Sequence, residues 1–361
     1  MSVKSVRLHL TNIAGLGAVQ LLKSLLPALE QCESIRLKEL YLPSVGELSE
    51  YVVDDNSINK FYYRRYLPNS ISRFLECVFF GRRFGGDTPL LVMGDLPIRC
   101  SAKQTVFVQN SHLLVPDKIS WNKSSLKFLV FRWIFSLNIR YAQAFIVQTA
   151  QMRDALIKSY PSLRARVHVV SQPVPNWLLN AGIVRGGRVV ATDAPLRLFY
   201  PAADYPHKNH KLLDSIQANS ASQWPVESLE LTIEQEAHPA KDISWIHCCG
   251  RLSSQRMLDS YNLADALLFL SKDESYGFPL VEAMFIGIPI VCPDLEYARA
   301  LCGDQAIYFV VDDVESLRCA VDELHRKLST GYWPDWSEQL KMIPKDWESV
   351  GRRILEIAVE K

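Results

Sequence analysis

Apolar residues recur along this chain in two alternating rhythms. Runs of strand length at residues 5–10, 89–94, 105–109, 144–148 and 167–171 are separated by stretches with helical spacing. In residues 18–31, Leu21, Leu22, Leu25, Leu26 and Leu29 share one helical face. Helical patterns also fill residues 123–140 and 150–160. A polar, Gly-rich stretch at 181–194, containing Arg185-Gly186-Gly187-Arg188, then reads as a linker. Beyond it the alternation restarts. Strands are predicted at 196–201, 229–233, 245–249, 266–271, 289–292 and 306–310, with helices at about 208–218, 253–264, 279–286 and 313–328. A last amphipathic helix, 347–359, has no strand after it. Strand–helix alternation on both sides of a linker predicts two α/β domains with parallel sheets.

The 361 residues suit about two domains at roughly 150 residues each. A composition 48% hydrophobic and 22% charged excludes a disordered or collagen-like chain. No apolar run reaches the roughly 18 residues of a membrane-spanning helix. The first 30 residues lack the basic start, apolar core and cleavage site of a secretory signal. The eight cysteines form no C-x-x-C pair. A reduced, cytoplasmic setting is therefore expected.

The net charge of +1 hides a division. Residues 1–185 hold 23 basic and 12 acidic residues, a net +11; the remainder holds 17 and 27, a net −10. Two halves of opposite sign suggest different partners. Lys60, Arg64, Arg65, Arg73, Arg82 and Arg83 interleave with Phe61, Tyr62, Tyr63, Tyr66, Phe74, Phe79 and Phe80, against one acid, Glu76. Lys118, Lys123, Lys127, Arg132 and Arg140 share a second segment with Trp121, Phe128, Phe131, Trp133 and Phe135. Both segments, near 60–83 and 118–140, suit the surface of an anionic membrane. A core-facing helix with a basic rim is the competing reading for 118–140. No nucleic-acid-binding motif is present.

Ligands of open α/β sheets bind beyond the carboxyl ends of the strands. Four loops there carry candidate chemistry. Gly15-Leu16-Gly17 follows the first strand, where glycine permits close backbone approach and a helix N-terminus favours an anion; a plain tight turn is the alternative. Gln109-Asn110-Ser111-His112 follows another strand, and His112 is a candidate hydrogen-bond donor. His207-Lys208-Asn209-His210 places Lys208 at an expected helix start, where a cation is unhelpful unless an anion lies between. The richest loop is Glu274-Ser275-Tyr276-Gly277-Phe278-Pro279-Leu280-Val281-Glu282. Gly277 permits a sharp turn, and Pro279 suits a first helical position. The new helix's amides would face a diphosphate, with Glu274 and Glu282 accepting from sugar hydroxyls on either side. The Glu-x7-Glu spacing occurs four times; only this pair encloses Gly and Pro between a strand and a helix.

In combination, His207 to His210, Glu274 to Met284, Gly287-Ile288-Pro289-Ile290-Val291 and Gly303-Asp304-Gln305-Ala306 resemble the retaining GT-B glycosyltransferases of sequence family 4. The likeness is strong for about residues 196–310 and looks most like bacterial mannosyltransferases of surface-polysaccharide assembly. It implies two Rossmann-like domains facing a cleft: 1–185 for the acceptor, 186–343 for a nucleotide-sugar, and a helix at 344–361 returning to the first. It implies that Lys208 holds the donor diphosphate, that Glu274 binds donor-sugar hydroxyls and that Glu282 binds ribose. Backbone amides of Gly277, Phe278, Pro279 and Leu280 would meet phosphates and sugar. Lys208, Glu274 and His112 are the expected catalytic residues. Gly15, Gly17, Gln109 and Asn110 would form an acceptor or phosphate loop. No cofactor is expected beyond the donor, a GDP-sugar by first choice, and no metal; the chain contains no Asp-x-Asp. A lipid-linked glycan acceptor and peripheral contact with the inner face of the cytoplasmic membrane follow from the basic first half.

Two departures stand out. Ala202 and Ala203 occupy places where many relatives carry Gly-Arg, leaving Arg251 as a candidate second cation. His112 lies three residues beyond the usual histidine position, which here is Gln109. A GT-B sugar-nucleotide epimerase and a catalytically degenerate GT-B scaffold are the alternative readings.

Overall fold

The computed structural model describes residues 4–13, 15–114, 123–183 and 194–360. The chain divides into two compact units, Met1–Pro173 with Pro344–Lys361, and Val174–Ile343. In the first, the chain runs β1 (Lys4–His9), α1 (Leu16–Glu30), β2 (Ile35–Pro43), β3 (Asn59–Tyr63), α2 (Asn69–Val78), β4 (Leu90–Val92), β5 (Gln104–Phe107), α3 (Lys123–Asn138), β6 (Ala142–Val147), α4 (Ala150–Ser159) and β7 (Val167–Val169). Its sheet is wholly parallel, in the order β3-β2-β1-β4-β5-β6-β7.

The second unit holds α5 (Asn176–Leu179), β8 (Leu196–Tyr200), β9 (Val226–Leu231), β10 (Ile246–Cys248), α6 (Ser254–Leu263), β11 (Ala266–Leu268), α7 (Phe278–Ile286), β12 (Ile290–Pro293), α8 (Glu296–Cys302), β13 (Ile307–Phe309), α9 (Val314–Ser329) and α10 (Ser337–Lys341). Its parallel sheet has the order β10-β9-β8-β11-β12-β13. Strands covered on both faces read as unbroken apolar runs, and Ala266 to Leu270 are all buried.

The last helix, α11 (Trp347–Val359), belongs to the first unit. It buries Trp347, Val350, Ile354, Leu355 and Ile357. Gly351 sits against α1, where an added Cβ would lie 3.2 Å from Ala28, so glycine permits the close crossing.

Three expectations needed correction. β2 and β3 went unnoticed: β2 breaks strict alternation at Leu40-Tyr41-Leu42, and β3 is an edge strand whose Asn59, Lys60, Phe61 and Tyr62 are exposed. The helix expected at 208–218 is instead a series of 3-10 turns, Pro206–Lys208, His210–Ser215 and Ala218–Gln223. Asn209 adopts a left-handed conformation, φ 59°, which interrupts regular helix at its first turn. Phe135, grouped with the surface aromatics, is fully buried. Most of the expected linker (184–193), together with Lys118 and Trp121, lies outside the described residues.

Both sheets contain one reversal of strand order. The chain builds outward from β1 to β3 and restarts at β4 on the other side of β1. It does the same from β8 to β10, restarting at β11. In open α/β sheets the loops beyond the carboxyl ends at such reversals are where a ligand crevice is expected.

Candidate active site

At the reversal in the second unit, the loop after β8 meets the loop after β11. Lys272 donates its amide to the His207 carbonyl at 2.8 Å. The Tyr200 hydroxyl donates to the Lys208 carbonyl at 2.6 Å. These bonds carry Lys208 Nζ onto Glu274 Oε1, an ion pair whose side chains are largely buried. Lys208 closes a 3-10 turn rather than opening a helix. The repulsion from a helix N-terminus that pointed to an anion therefore does not arise. The pair with Glu274 replaces it. His210, beside Tyr200, is buried with neither ring nitrogen hydrogen-bonded. Burial pushes its imidazole down to about 4, so it is neutral near pH 7 and adds no second charge.

Gly277 takes φ 88° and starts α7 with no side-chain cap and no acid in the first turn. The expected row of four amides narrows here. Pro279 has no N–H, and the Leu280 amide donates to the Gly277 carbonyl at 3.0 Å. Gly277 and Phe278 remain as donors at this end. The Leu280 side chain is core.

Glu282 faces inward. It is 7% exposed and accepts a 2.8 Å hydrogen bond from the Tyr261 hydroxyl of α6. Burial raises its carboxyl to about 7, although the Tyr261 bond opposes the rise. Tyr261 escaped the sequence reading, since a tyrosine in a mid-length helix carries no motif. Arg251 follows Gly250 after β10 and is exposed.

The first unit gathers its candidates at its own reversal. Gln109 and Asn110 donate backbone amides to Asp95 Oδ1, at 2.8 and 3.2 Å. The Asn110 side chain accepts from the His112 amide at 3.0 Å, and the His112 ring lies on Phe128, centroids 4.0 Å apart. Gly15 caps α1 with an ordinary φ of −77°, and an added Cβ at Gly15 or Gly17 would meet nothing within 4 Å. Protein packing therefore does not require glycine at either place. The residue that sequence reasoning passed over is Glu76, noted only as one acid among many bases. It is the buried centre of a hydrogen-bonded network at the end of β1.

Two parallel sheets, a reversal in each and a last helix returned to the first unit describe a known architecture. The glycosyltransferase of Rickettsia africae superposes with a TM-score of 0.66 at 12% identity, over 99% of this chain and 98% of that one. The chain has the GT-B glycosyltransferase fold. Two more GT-B structures superpose as fully. Anabaena HepE, solved with UDP and glucose, gives a TM-score of 0.60 at 14% identity, covering 98% and 99% of the two chains. WaaG, a glycosyltransferase involved in lipopolysaccharide biosynthesis, gives 0.60 at 12% identity, covering 99% and 100%. In sequence, the chain is 19% identical over 252 residues to the O-antigen chain mannosyltransferase RfbU of Salmonella typhimurium, covering 66% of this chain and 67% of RfbU. It is 23% identical over 131 residues to the serotype-specific mannosyltransferase WbdA of Escherichia coli, 34% of this chain but 16% of WbdA. No family model matches the chain. These likenesses support glycosyltransferase function on a GT-B scaffold.

Proposed function

We propose that this protein is a retaining glycosyltransferase that moves a sugar, mannose or a close relative, from a GDP donor to a lipid-linked or polysaccharide acceptor. The observation that carries this reading is the Lys208–Glu274 pair beside the amides of Gly277 and Phe278. Cleaving a glycosyl–phosphate bond builds negative charge on the leaving diphosphate. One fixed cation and an uncapped helix start are suited to stabilise it without a metal ion. Donor binding would draw Lys208 Nζ from Glu274 to the diphosphate. Glu274 is then left to accept from donor-sugar hydroxyls. Holding both substrates supplies much of the remaining advantage. Retention would follow from attack on the departing face, the leaving phosphate taking the acceptor's proton. Glu282, neutral or charged near pH 7, would meet ribose.

The lipid side of the reading rests on the first unit. Tyr66, Phe79, Phe80 and Trp133 are exposed, and Arg64 lies 5.3 Å over the Tyr66 ring. Such a surface fits headgroups of an anionic cytoplasmic leaflet. Among the described residues no helix is long and apolar enough to cross a membrane.

Calorimetry with GDP, UDP and ADP, in EDTA, tests the donor assignment. Selective GDP binding that weakens in Lys208→Ala, with Glu274→Gln lowering turnover rather than GDP affinity, supports it. Selective UDP binding would replace the base, and no nucleotide binding by folded protein would move the reading to a scaffold. Flotation with and without phosphatidylglycerol tests the membrane contact, which equal recoveries would remove.

A further inference from the structure

The crevice expected at the reversal in the first unit gathers two guanidiniums on one carboxylate. Glu76, on α2, receives the Thr11 hydroxyl at 2.7 Å and the Asn12 amide group at 3.0 Å. His9 Nε2 lies 3.2 Å from the same oxygen. Arg83 Nη2 is 3.3 Å from the other oxygen, and Arg65 Nη2 stands at 4.0 Å. One carboxylate thus serves two guanidiniums. Arg65 spends its closest hydrogen bond on a neutral group, Asn12 Oδ1. One turn earlier on α2, Arg73 pairs with Asp95 at 3.3 Å, so α2 presents its polar face to the loops after β1 and β4.

Four features mark the place as prepared for a ligand. Asp95 holds φ 64°, a strained conformation for a residue with a side chain, while its carboxylate gathers Gln109 and Asn110. Gly94 brings the loops after β1 and β4 together, since an added Cβ would lie 2.8 Å from Asn12 Cβ. The Gln109 Nε2 amide group and Arg73 Nε are buried donors without a partner. Four residues after Asn12, α1 begins with no side-chain cap and no acid in its first turn.

We propose that this crevice is an anion site for a phosphoryl group of the acceptor, bound by Arg65 and Arg83, with Glu76 as the positioning residue that aims both. A phosphoryl group offers three oxygens, matching two guanidiniums and a helix start better than the two oxygens of a carboxylate. Arg83 is the more open of the two, its side chain 42% exposed and its guanidinium 4.6 Å over the Tyr63 ring. It can turn to a ligand while keeping that ring beneath it. Arg65, 17% exposed, is the fixed member. The role as acceptor site rests on the glycosyltransferase reading; the anion site itself does not.

The test is calorimetric binding of inorganic pyrophosphate and of farnesyl diphosphate to full-length protein carrying Lys208→Ala, which removes the donor cation. In that background Arg65→Gln and Arg83→Gln are each expected to weaken pyrophosphate at least ten-fold, and Arg65→Lys by less. With Lys208 intact, the same arginine variants are expected to bind GDP unchanged. Farnesyl diphosphate tighter than pyrophosphate identifies a lipid diphosphate; equal affinity identifies the phosphoryl group alone. Absent pyrophosphate binding in the Lys208→Ala protein, or binding indifferent to both arginines, overturns the site. Arginine-dependent pyrophosphate binding without any GDP binding would instead retain this site and remove the donor reading.

Discussion

Two glutamates, one in each unit, are almost equally buried and behave in opposite ways. Glu76 is 5% exposed and Glu282 is 7% exposed. Burial pushes both carboxyls up. At Glu76 the neighbouring His9, the Thr11 hydroxyl and Arg65 outweigh it and bring the group to about 2. At Glu282 only Tyr261 opposes burial, and the group stands at about 7. The environment of a carboxylate is therefore set less by depth than by how many donors converge on it. A glutamate held at about 2 is an anchor. A glutamate at about 7 is poorly satisfied, and a hydroxyl-bearing ligand that hydrogen-bonds it would relieve that state.

The largest effect expected from this contrast is at Glu76. Glu76→Ala leaves Arg65, Arg83, Thr11 and Asn12 facing an empty buried centre, and should cost roughly 3–5 kcal/mol. Urea unfolding at pH 7 measures it; a loss below about 1 kcal/mol would end the contrast.

The pH dependence comes next, with opposite signs. Glu76 titrates lower in the folded protein than its ordinary value of 4.5, so its contribution is complete above 4.5 and lost as pH falls towards 2. Glu282 titrates higher, so its contribution is complete below 4.5 and lost as pH rises through about 7. Each window spans about 3 kcal/mol at full burial. Between pH 5 and 8 Glu282 takes stability away as pH rises, and in the same unit His210, held at about 4 against an ordinary 6.5, adds stability up to about 6.5. Glu282→Gln should remove the Glu282 part and leave unfolding midpoints that rise more steeply between pH 5 and 6.5, while keeping an acceptor for Tyr261. An unchanged slope would place the titration elsewhere.

A smaller effect separates binding from stability. Losing one charged hydrogen bond costs roughly 1.5–3 kcal/mol, a ten- to hundred-fold change in affinity. Lys208→Ala should weaken GDP by that factor, whereas Arg65→Gln, in the other unit, should leave it unchanged. Equal losses in both would deny the division of labour.

The smallest test compares two glycine loops. Gly277→Ala forces a side chain into φ 88° and should cost about 1–2 kcal/mol. Gly17→Ala has open space around it and an ordinary helical neighbourhood, and should stay within about 0.5 kcal/mol. Thermal midpoints decide the pair. A costly Gly17→Ala would show that the loop after β1 is packed more tightly than its geometry indicates.

Much of the second unit was legible in the chain because its signals are local. All six strands, from 196–201 to 306–310, announce themselves as apolar runs. Gly277 and Pro279 mark a turn and a helix start by their own backbone restrictions. Adjacency of Lys208 and Glu274 was not readable, since 66 residues separate them and only the pairing of β8 with β11 joins their loops. The helix expected at 208–218 failed for a related reason. Spacing reports the apolar face, while a left-handed Asn209 decides whether the backbone can continue. In the first unit, sequence showed an excess of arginines and aromatics near 60–83 but could not sort them. Phe74 packed against the core and Tyr66 went to the surface, and Glu76 became a centre because α2 lays it across the end of β1.

By itself, then, the sequence determined the periodicities, the turn residues and the opposite charges of the two halves, all properties of neighbours along the chain. Tertiary structure alone decided which distant charges meet. Coulombic and hydrogen-bond energies depend on distances of a few ångström, and the sheet order sets those distances. Hence Lys208 has one carboxylate, Glu76 serves two guanidiniums, and Glu282 has a single hydroxyl.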